Sequence, residues 1–335
     1  MRGLDTPSSI VGVEQAKDRR RCVPLGCVTL RMRSARLARL ARLAPGHRPL
    51  EVAGGALLLM LTATPAWSQG RVVQRHRASE PEGQLLAFYS AAMVFSPLGE
   101  VASGRRWSVG VEGSWLPALS ESQRQPGIDK PETTNLSPIL PRPRVAFRTS
   151  RAVLEASWVP PIAIGDARAN LWGVAASRTL ATWRGVRLSP RLSAVAGRVE
   201  GAITCNAATT ADGGRDLATY YAAVCHGHDS NDWFEPRIVA GEVMGTRTWR
   251  GGRGEWWLAA GGRVDRSRFD IGVLRADGTR DGDHPVLALH DTRPHISAGA
   301  RLALSSRLTT AGEWFYAPGS VATVRAFMAV TGAGR

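Results

Sequence analysis

Lysine is almost missing from this chain. Of 43 basic residues only Lys17 and Lys130 are lysines, so the net charge of +15 is carried by arginine. Past residue 80 there is no basic run interleaved with aromatics, the pattern a nucleic-acid groove needs, so no nucleic-acid partner is expected. Cysteine is scarce as well, with four in 335 residues. Four residues separate Cys22 from Cys27, so they form no Cys-x-x-Cys pair. Past residue 68 every apolar run is broken by Arg, Glu, Gly or Pro within about ten residues, short of the ~20 a membrane-spanning helix requires. The motifs Gly-x-Ser-x-Gly and His-Glu-x-x-His and a glycine-rich phosphate loop are all absent, so neither an enzyme nor a cofactor is expected.

What is plentiful is tryptophan and glycine, 11 and 36 residues against four tyrosines. That balance suits a sheet protein with tight turns and interfacial indoles. The N-terminus carries processing information. Residues 31–48 are strongly basic, Val52 to Leu61 are apolar, and Ala66-Trp67-Ser68 places small residues before a cut at Gln69. Basic, apolar and small-residue parts in that order make a secretory signal, with Met32 nearer the true start than Met1. Three parts of the chain follow: residues 1–68 as an over-extended N-terminus with a signal peptide, 69–83 as a short periplasmic lead, and 84–335 as the folded body.

The body alternates with period two. Trp107, Val109, Val111 and Trp115 interleave with Ser108, Gly110, Glu112 and Ser114; Ala322, Val324, Ala326 and Met328 interleave with Thr323 and Arg325. Two-faced strands read this way. Strands are predicted near 84–95, 106–116, 142–148, 151–159, 169–180, 184–200, 236–249, 255–266, 295–304, 307–316 and 321–331. Several reach the ~9–11 residues of a tilted spanning strand. Short connections at 148–151, 181–184, 250–254 and 305–307 contrast with long ones at 117–141, 202–235 and 267–293. Tryptophans lie near strand ends, where an indole sits at the lipid headgroups. Together these predict an all-β fold, a closed antiparallel transmembrane β-barrel with short periplasmic turns and long outer loops. Eleven strands make an odd number, so the expectation is about twelve (10–14), with ten if 84–95 is not a strand. A soluble secreted β-sandwich is the alternative.

Charges on the strands must then face the lumen, because Arg facing lipid at mid-depth costs ~2–4 kcal/mol. Arg144, Arg178, Arg191, Arg301, Glu112, Glu155, Glu242 and Glu313 are the lumen candidates. Paired, they would plug the barrel; as an unpaired arginine ladder they would line an anion-favouring pore. Arg148 and Arg187 are read as anchors at strand ends. Cys205 and Cys225 are expected to pair in an oxidising compartment. His226, His228, Asp229 and Asp232, with Glu235 nearby, form a weaker metal-binding candidate, since their spacing fits neither an EF-hand nor a zinc finger. Segment 266–293 mixes Asp and Arg and reads as a solvated charged loop.

The segments Pro138-Ile139-Leu140-Pro141-Arg142-Pro143-Arg144 and Trp158-Val159-Pro160-Pro161-Ile162 resemble uncharacterised outer-membrane barrel proteins of GC-rich bacteria. Phe95-Ser96-Pro97-Leu98-Gly99 before a glycine-rich strand resembles the start of hydrophobic-compound transporters of the fatty-acid type. This second likeness covers about the first third of the mature chain and transfers no functional residue. The expectation is therefore a monomeric barrel in the cell outer membrane, with outer-membrane lipid and an unknown small solute as partners. It would act as a passive channel or transporter for small or hydrophobic solutes, or as a non-conducting barrel whose loops bind a ligand.

Overall fold

The computed structural model describes residues 72–332 apart from 103, 121–122, 124–137, 165–166, 208–218 and 220. The signal segment, Cys22 and Cys27 lie outside the described residues.

In chain order the elements are β1 (Val73–His76), α1 (Pro81–Met93), β2 (Trp107–Trp115), β3 (Ile139–Arg148), β4 (Val153–Val159), β5 (Ala163–Ile164), β6 (Ala167–Ser177) and β7 (Ala181–Trp183). There follow β8 (Val186–Gly201), β9 (Asp232–Glu235), β10 (Arg237–Trp249), β11 (Gly254–Asp265), β12 (Arg268–Asp270), β13 (Val286–Leu289), β14 (Asp291–Ala303), β15 (Leu308–Ala317) and β16 (Val321–Gly332).

Ten of these form a closed antiparallel wall in the order β2, β3, β4, β6, β8, β10, β11, β14, β15, β16. Closure comes from β16 against β2, where Arg325 faces Ser114 and Gly332 faces Trp107. The expected twelve strands are corrected to ten. All ten fall on strand segments read from the sequence, and the eleventh such segment, 84–95, lies before them. Residues 84–95 are helix α1 and an extended continuation, not a strand. Leu85-Leu86-Ala87-Phe88 and Ala91-Ala92-Met93 are good helix formers, and Pro81 occupies the first turn, where its missing N–H is harmless. A helix apolar all round is one that is buried.

The connections separate into two ends. Residues 149–152, 178–185, 250–253 and 304–307 turn at one end. The chain between β2 and β3, the chain around β9, and the chain around β12 and β13 lie at the other. Three wall strands continue past the barrel at this long-loop end: β9 leads into β10, β12 follows β11 and β13 precedes β14, with β9 pairing β12 and β12 pairing β13. The lead, expected on the short-turn side, is found here as well, because β1 pairs in parallel with β13, Val73 facing Val286.

Side chains sort by face. Along β16 the residues alternate strictly, with Thr323, Arg325, Phe327 and Ala329 buried and Val324, Met328 and Val330 about half exposed. Val109, Val111, Phe147, Leu192, Val243 and Leu258 belong to the same outward belt. Trp107 lies at the short-turn end of the belt on β2 and Trp115 at its long-loop end, both exposed. The inside is the reverse, holding Ser108, Glu112, Arg144, Glu155, Arg191 and Arg325. A water-soluble barrel would place these the other way round.

Candidate functional site

The site is the lumen itself. After α1, residues 94–101 run down the interior toward the short turns, and every one of them is buried. Apart from one 3-10 turn at Pro97–Gly99, whose Pro97 carbonyl accepts from the Glu100 N–H at 3.0 Å, this backbone pairs with no strand, so its carbonyls need other donors. Arginines of the wall supply them. Arg325 donates to Ala92 and Val94 at 3.3 and 3.0 Å, and Arg142 donates to Met93 at 2.9 Å. Arg191 donates to Phe95 at 2.7 Å and, with Arg144, to Ser96 at 3.0 and 2.6 Å. Arg301 reaches Pro97 and Leu98 at 3.2 and 3.3 Å. Arg148 closes the series on Val101 at 2.5 Å. Every carbonyl from Ala92 to Leu98 is therefore held by a guanidinium, the one side chain with five donors on a planar fork.

The same arginines bind the carboxylates of the wall. Arg144 meets Glu112 at 2.6 Å and Glu155 at 3.1 Å. Arg191 meets Glu155 at 3.0 Å and Glu242 at 2.7 Å, and Glu242 continues to His295 at 3.3 Å. Arg301 meets Glu255 at 2.7 Å, and Arg325 lies 3.6 Å from Glu313. One belt, Glu112–Arg144–Glu155–Arg191–Glu242–His295, thus runs from β2 round to β14, stepping past β6 and β11. Phe95 sits within it, its ring centre 4.0 Å from the Arg144 guanidinium and 5.4 Å from that of Arg191. Cations over a ring face are attracted by its quadrupole.

Of the eight lumen candidates, Arg144, Arg191, Arg301, Glu112, Glu155, Glu242 and Glu313 are buried. Arg178 is the correction: it lies beyond the end of β6, exposed in the short-turn end. Arg148 and Arg187 do more than anchor. Arg148 holds the plug, and Arg187 pairs with Glu255. Arg142, Arg325, Arg263 and Glu255 are interior charges the sequence reading did not single out. Phase would have found them: Arg142 stands two residues before Arg144, and Arg325 shares the parity of Thr323 and Phe327.

Gly99 makes the plug fit. A Cβ there would stand 2.6 Å from Nε of Arg144. Gly99→Ala is expected to destabilise the barrel by ~1–3 kcal/mol, as overpacking does, by pushing that guanidinium off Glu112 and Ser96. Urea-induced loss of the compact gel form would measure it; an unchanged midpoint would show that Arg144 yields freely.

At the long-loop end Cys205 and Cys225 form the expected disulfide, 20 residues apart. The neighbouring acids do not assemble a metal site. Asp232 accepts from the backbone N–H of Ile203 at 2.9 Å, from that of Gly272 at 2.6 Å, and from Ser230 at 2.6 Å. Asp229 accepts from the Ala207 N–H and the Tyr221 hydroxyl. His226 and His228 do not join them, and no group of three or more metal-ligating side chains occurs among the described residues. The carboxylates are used as loop ties, so metal binding here is corrected to structural stapling. Reducing the disulfide is expected to remove ~3 kcal/mol of loop ordering by the chain-entropy model. Cys205→Ser/Cys225→Ser should therefore raise protease cleavage within 202–231 while the barrel itself survives. Equal cleavage of both forms would refute the staple.

The charged loop between β12 and β13 satisfies itself. Arg275 meets Asp281 at 3.1 Å, and Arg280 meets Asp270 at 2.7 Å. The Thr279 hydroxyl and amide hold the Asp277 carboxyl below the usual aspartate range, and the Asp283 amide does the same for Asp281.

No protein-family model and no curated protein matches the chain. The solved structures it is similar to include three outer-membrane proteins. Ail, the attachment invasion locus protein of Yersinia pestis, is 8% identical with a TM-score of 0.23, over 69% of this chain and 98% of that one. The Pseudomonas putida toluene transporter TodX is 8% identical with a TM-score of 0.28, over 77% and 71%. The translocator domain of the autotransporter NalP from Neisseria meningitidis is 11% identical with a TM-score of 0.27, over 68% and 87%. At such identities and scores these likenesses say nothing of ligand or activity, and the closed barrel rests on the strand pairing described above.

Proposed function

We propose that this protein is an outer-membrane barrel sealed by its own N-terminal segment, non-conducting in this state, with the long-loop end as its working face. One observation carries the reading: residues 92–101 fill the lumen and are held there by six wall arginines. Barrels of about eight strands have interiors just wide enough for side chains. Ten strands add room for about one more chain, and the plug takes it. The outward apolar belt supports the membrane location, since an exposed apolar surface of this extent would aggregate in water. Purified protein in a planar lipid bilayer is expected to insert without producing stable conductance steps. Steady open-channel current from the intact chain would overturn the seal.

A second reading, uptake of small apolar solutes, is favoured by a separate cavity. About 60 Å3 lies between α1 and the wall at the long-loop end, lined by Tyr89, Met93, Leu140, Val159, Ala169 and Val199. The wall beside it is poor in hydrogen bonds. Pro141 and Pro143 on β3 lack N–H groups, β3 pairs β4 only from Arg144 to Arg148, and Pro160-Pro161 follow β4. The cavity would take the end of an alkyl chain or a small hydrocarbon. Ala169→Phe fills it, and should weaken the binding of an environment-sensitive apolar dye by about tenfold, the loss expected when a complementary apolar pocket is closed. Unaltered dye binding would remove the cavity from consideration.

A further inference from the structure

A cleft on the outer flank gathers several arginines with no carboxylate in its lining. The cleft measures about 480 Å3 and lies where β8, β10 and β11 pass into the long-loop end. Arg75, Arg237, Arg266, Arg268 and His290 line it, with Val239 and Val264 among its apolar lining. No carboxylate lines it among the described residues. Arg237 lies 3.8 Å from Glu235, and no acid among the described residues stands within ion-pair distance of Arg75, Arg266 or Arg268. Elsewhere at this end Arg198, Arg275 and Arg280 each meet a carboxylate.

The position of the cleft says what would fill it. Arg266 continues the outward row Trp256, Leu258, Ala260, Gly262 and Val264 of β11, and Arg237 ends the outward row Val243, Gly241 and Val239 of β10. Arg266 stands ten residues beyond Trp256. At ~3.3 Å per residue and a tilt of ~40°, that is about 25 Å along the barrel axis, the height of a lipid-facing belt. The guanidinium groups therefore sit at the outer headgroup level, and the valines lie just below, in hydrocarbon. Four like charges converging on one concavity repel unless an anion joins them. Guanidinium forks match phosphate oxygens in pairs.

We propose that this cleft binds a phosphorylated lipid of the outer leaflet, its phosphate against Arg237, Arg266 and Arg268 and an acyl chain along Val239 and Val264. This rests on the membrane reading given above. The barrel, refolded in a lipid-free zwitterionic detergent, is titrated with a bisphosphorylated lipid A and with the same lipid dephosphorylated, and retention is read by native mass spectrometry. Phosphorylated lipid should be retained at least about tenfold more tightly. Arg237→Gln/Arg266→Gln/Arg268→Gln should lose that preference, while Arg184→Gln/Arg250→Gln at the opposite rim keeps it. Arg75→Gln/His290→Gln, on elements outside the ten-strand wall, gives a second variant should the triple one fail to fold, and it should reduce the preference in the same direction. Equal retention by a folded variant overturns the proposal. So does full displacement by millimolar inorganic phosphate, which would mark a site for a free anion instead. A chain that stays folded without detergent defeats the membrane reading itself; a heat-modifiable barrel indifferent to the phosphate defeats the cleft alone.

Discussion

Replacing Arg191 with methionine is expected to destabilise the folded barrel by at least ~3–5 kcal/mol, the range for breaking a buried pair by removing one partner. This guanidinium holds Glu155, Glu242 and the carbonyls of Phe95 and Ser96, and it is fully buried. Methionine keeps most of the volume and none of the donors. Two carbonyls of the plug are then left without this donor, and two carboxylates lose their shared cation. Arg144 retains Glu155 and His295 retains Glu242, so the loss is partial on the wall and greatest at Phe95. Urea titration followed by gel mobility and tryptophan fluorescence measures the change. It should be nearly the same in low and high salt, because buried pairs are screened little. A second substitution, Glu242→Gln, should recover ~1 kcal/mol by removing an uncompensated charge. A single variant as stable as the parent would mean that the belt contributes nothing net.

Deleting residues 73–101 is expected to turn a silent barrel into a conducting one. The deletion takes away the threaded segment and Glu100 but none of the ten wall strands. Arg142, Arg144, Arg191, Arg301 and Arg325 then lose their carbonyl acceptors and must be hydrated, which draws water into the lumen. Inward guanidinium groups outnumber inward carboxylates once Glu100 is gone, so the current should favour anions. Bilayer recordings in a salt gradient test both parts, and a heat-shifted gel band confirms that the shortened chain closed. A folded deletion variant that stays silent would show that wall side chains alone close the lumen, and the plug would lose its role as the seal.

Alternation was legible because it is local. Each wall strand reports its two faces in its own residues, as β16 does with Thr323, Arg325 and Phe327 against Ala322, Val324 and Met328. The lipid argument then fixed the sign, placing Glu112, Arg144, Glu155 and Arg191 inside without any knowledge of their partners. It failed at Arg178 because phase holds only while the strand lasts, and β6 ends at Ser177. The metal expectation failed for a related reason. Asp229 and Asp232 are close to the histidines in sequence, yet their oxygens are engaged by amides of Ala207, Ile203 and Gly272, which no spacing reveals.

Residues 84–95 were the hardest to read. A continuous apolar run of that length fits a buried strand as well as a buried helix, and periodicity does not separate them. What settles the matter is a surrounding that the run does not itself encode. The barrel must close before there is a lumen, and only then do arginines from β3, β8, β14 and β16 converge on one stretch of backbone. Arg325 is 231 residues from Val94, to whose carbonyl it donates. By itself, then, the amino-acid order determined the ten wall strands, the face each presents to lipid and the charges kept from it, because those depend on period-two geometry and the cost of burying charge in hydrocarbon. Tertiary structure alone decided that the charges pair, that the lead enters from the long-loop end and that the lumen is filled, because each of these depends on contacts between residues far apart in the chain.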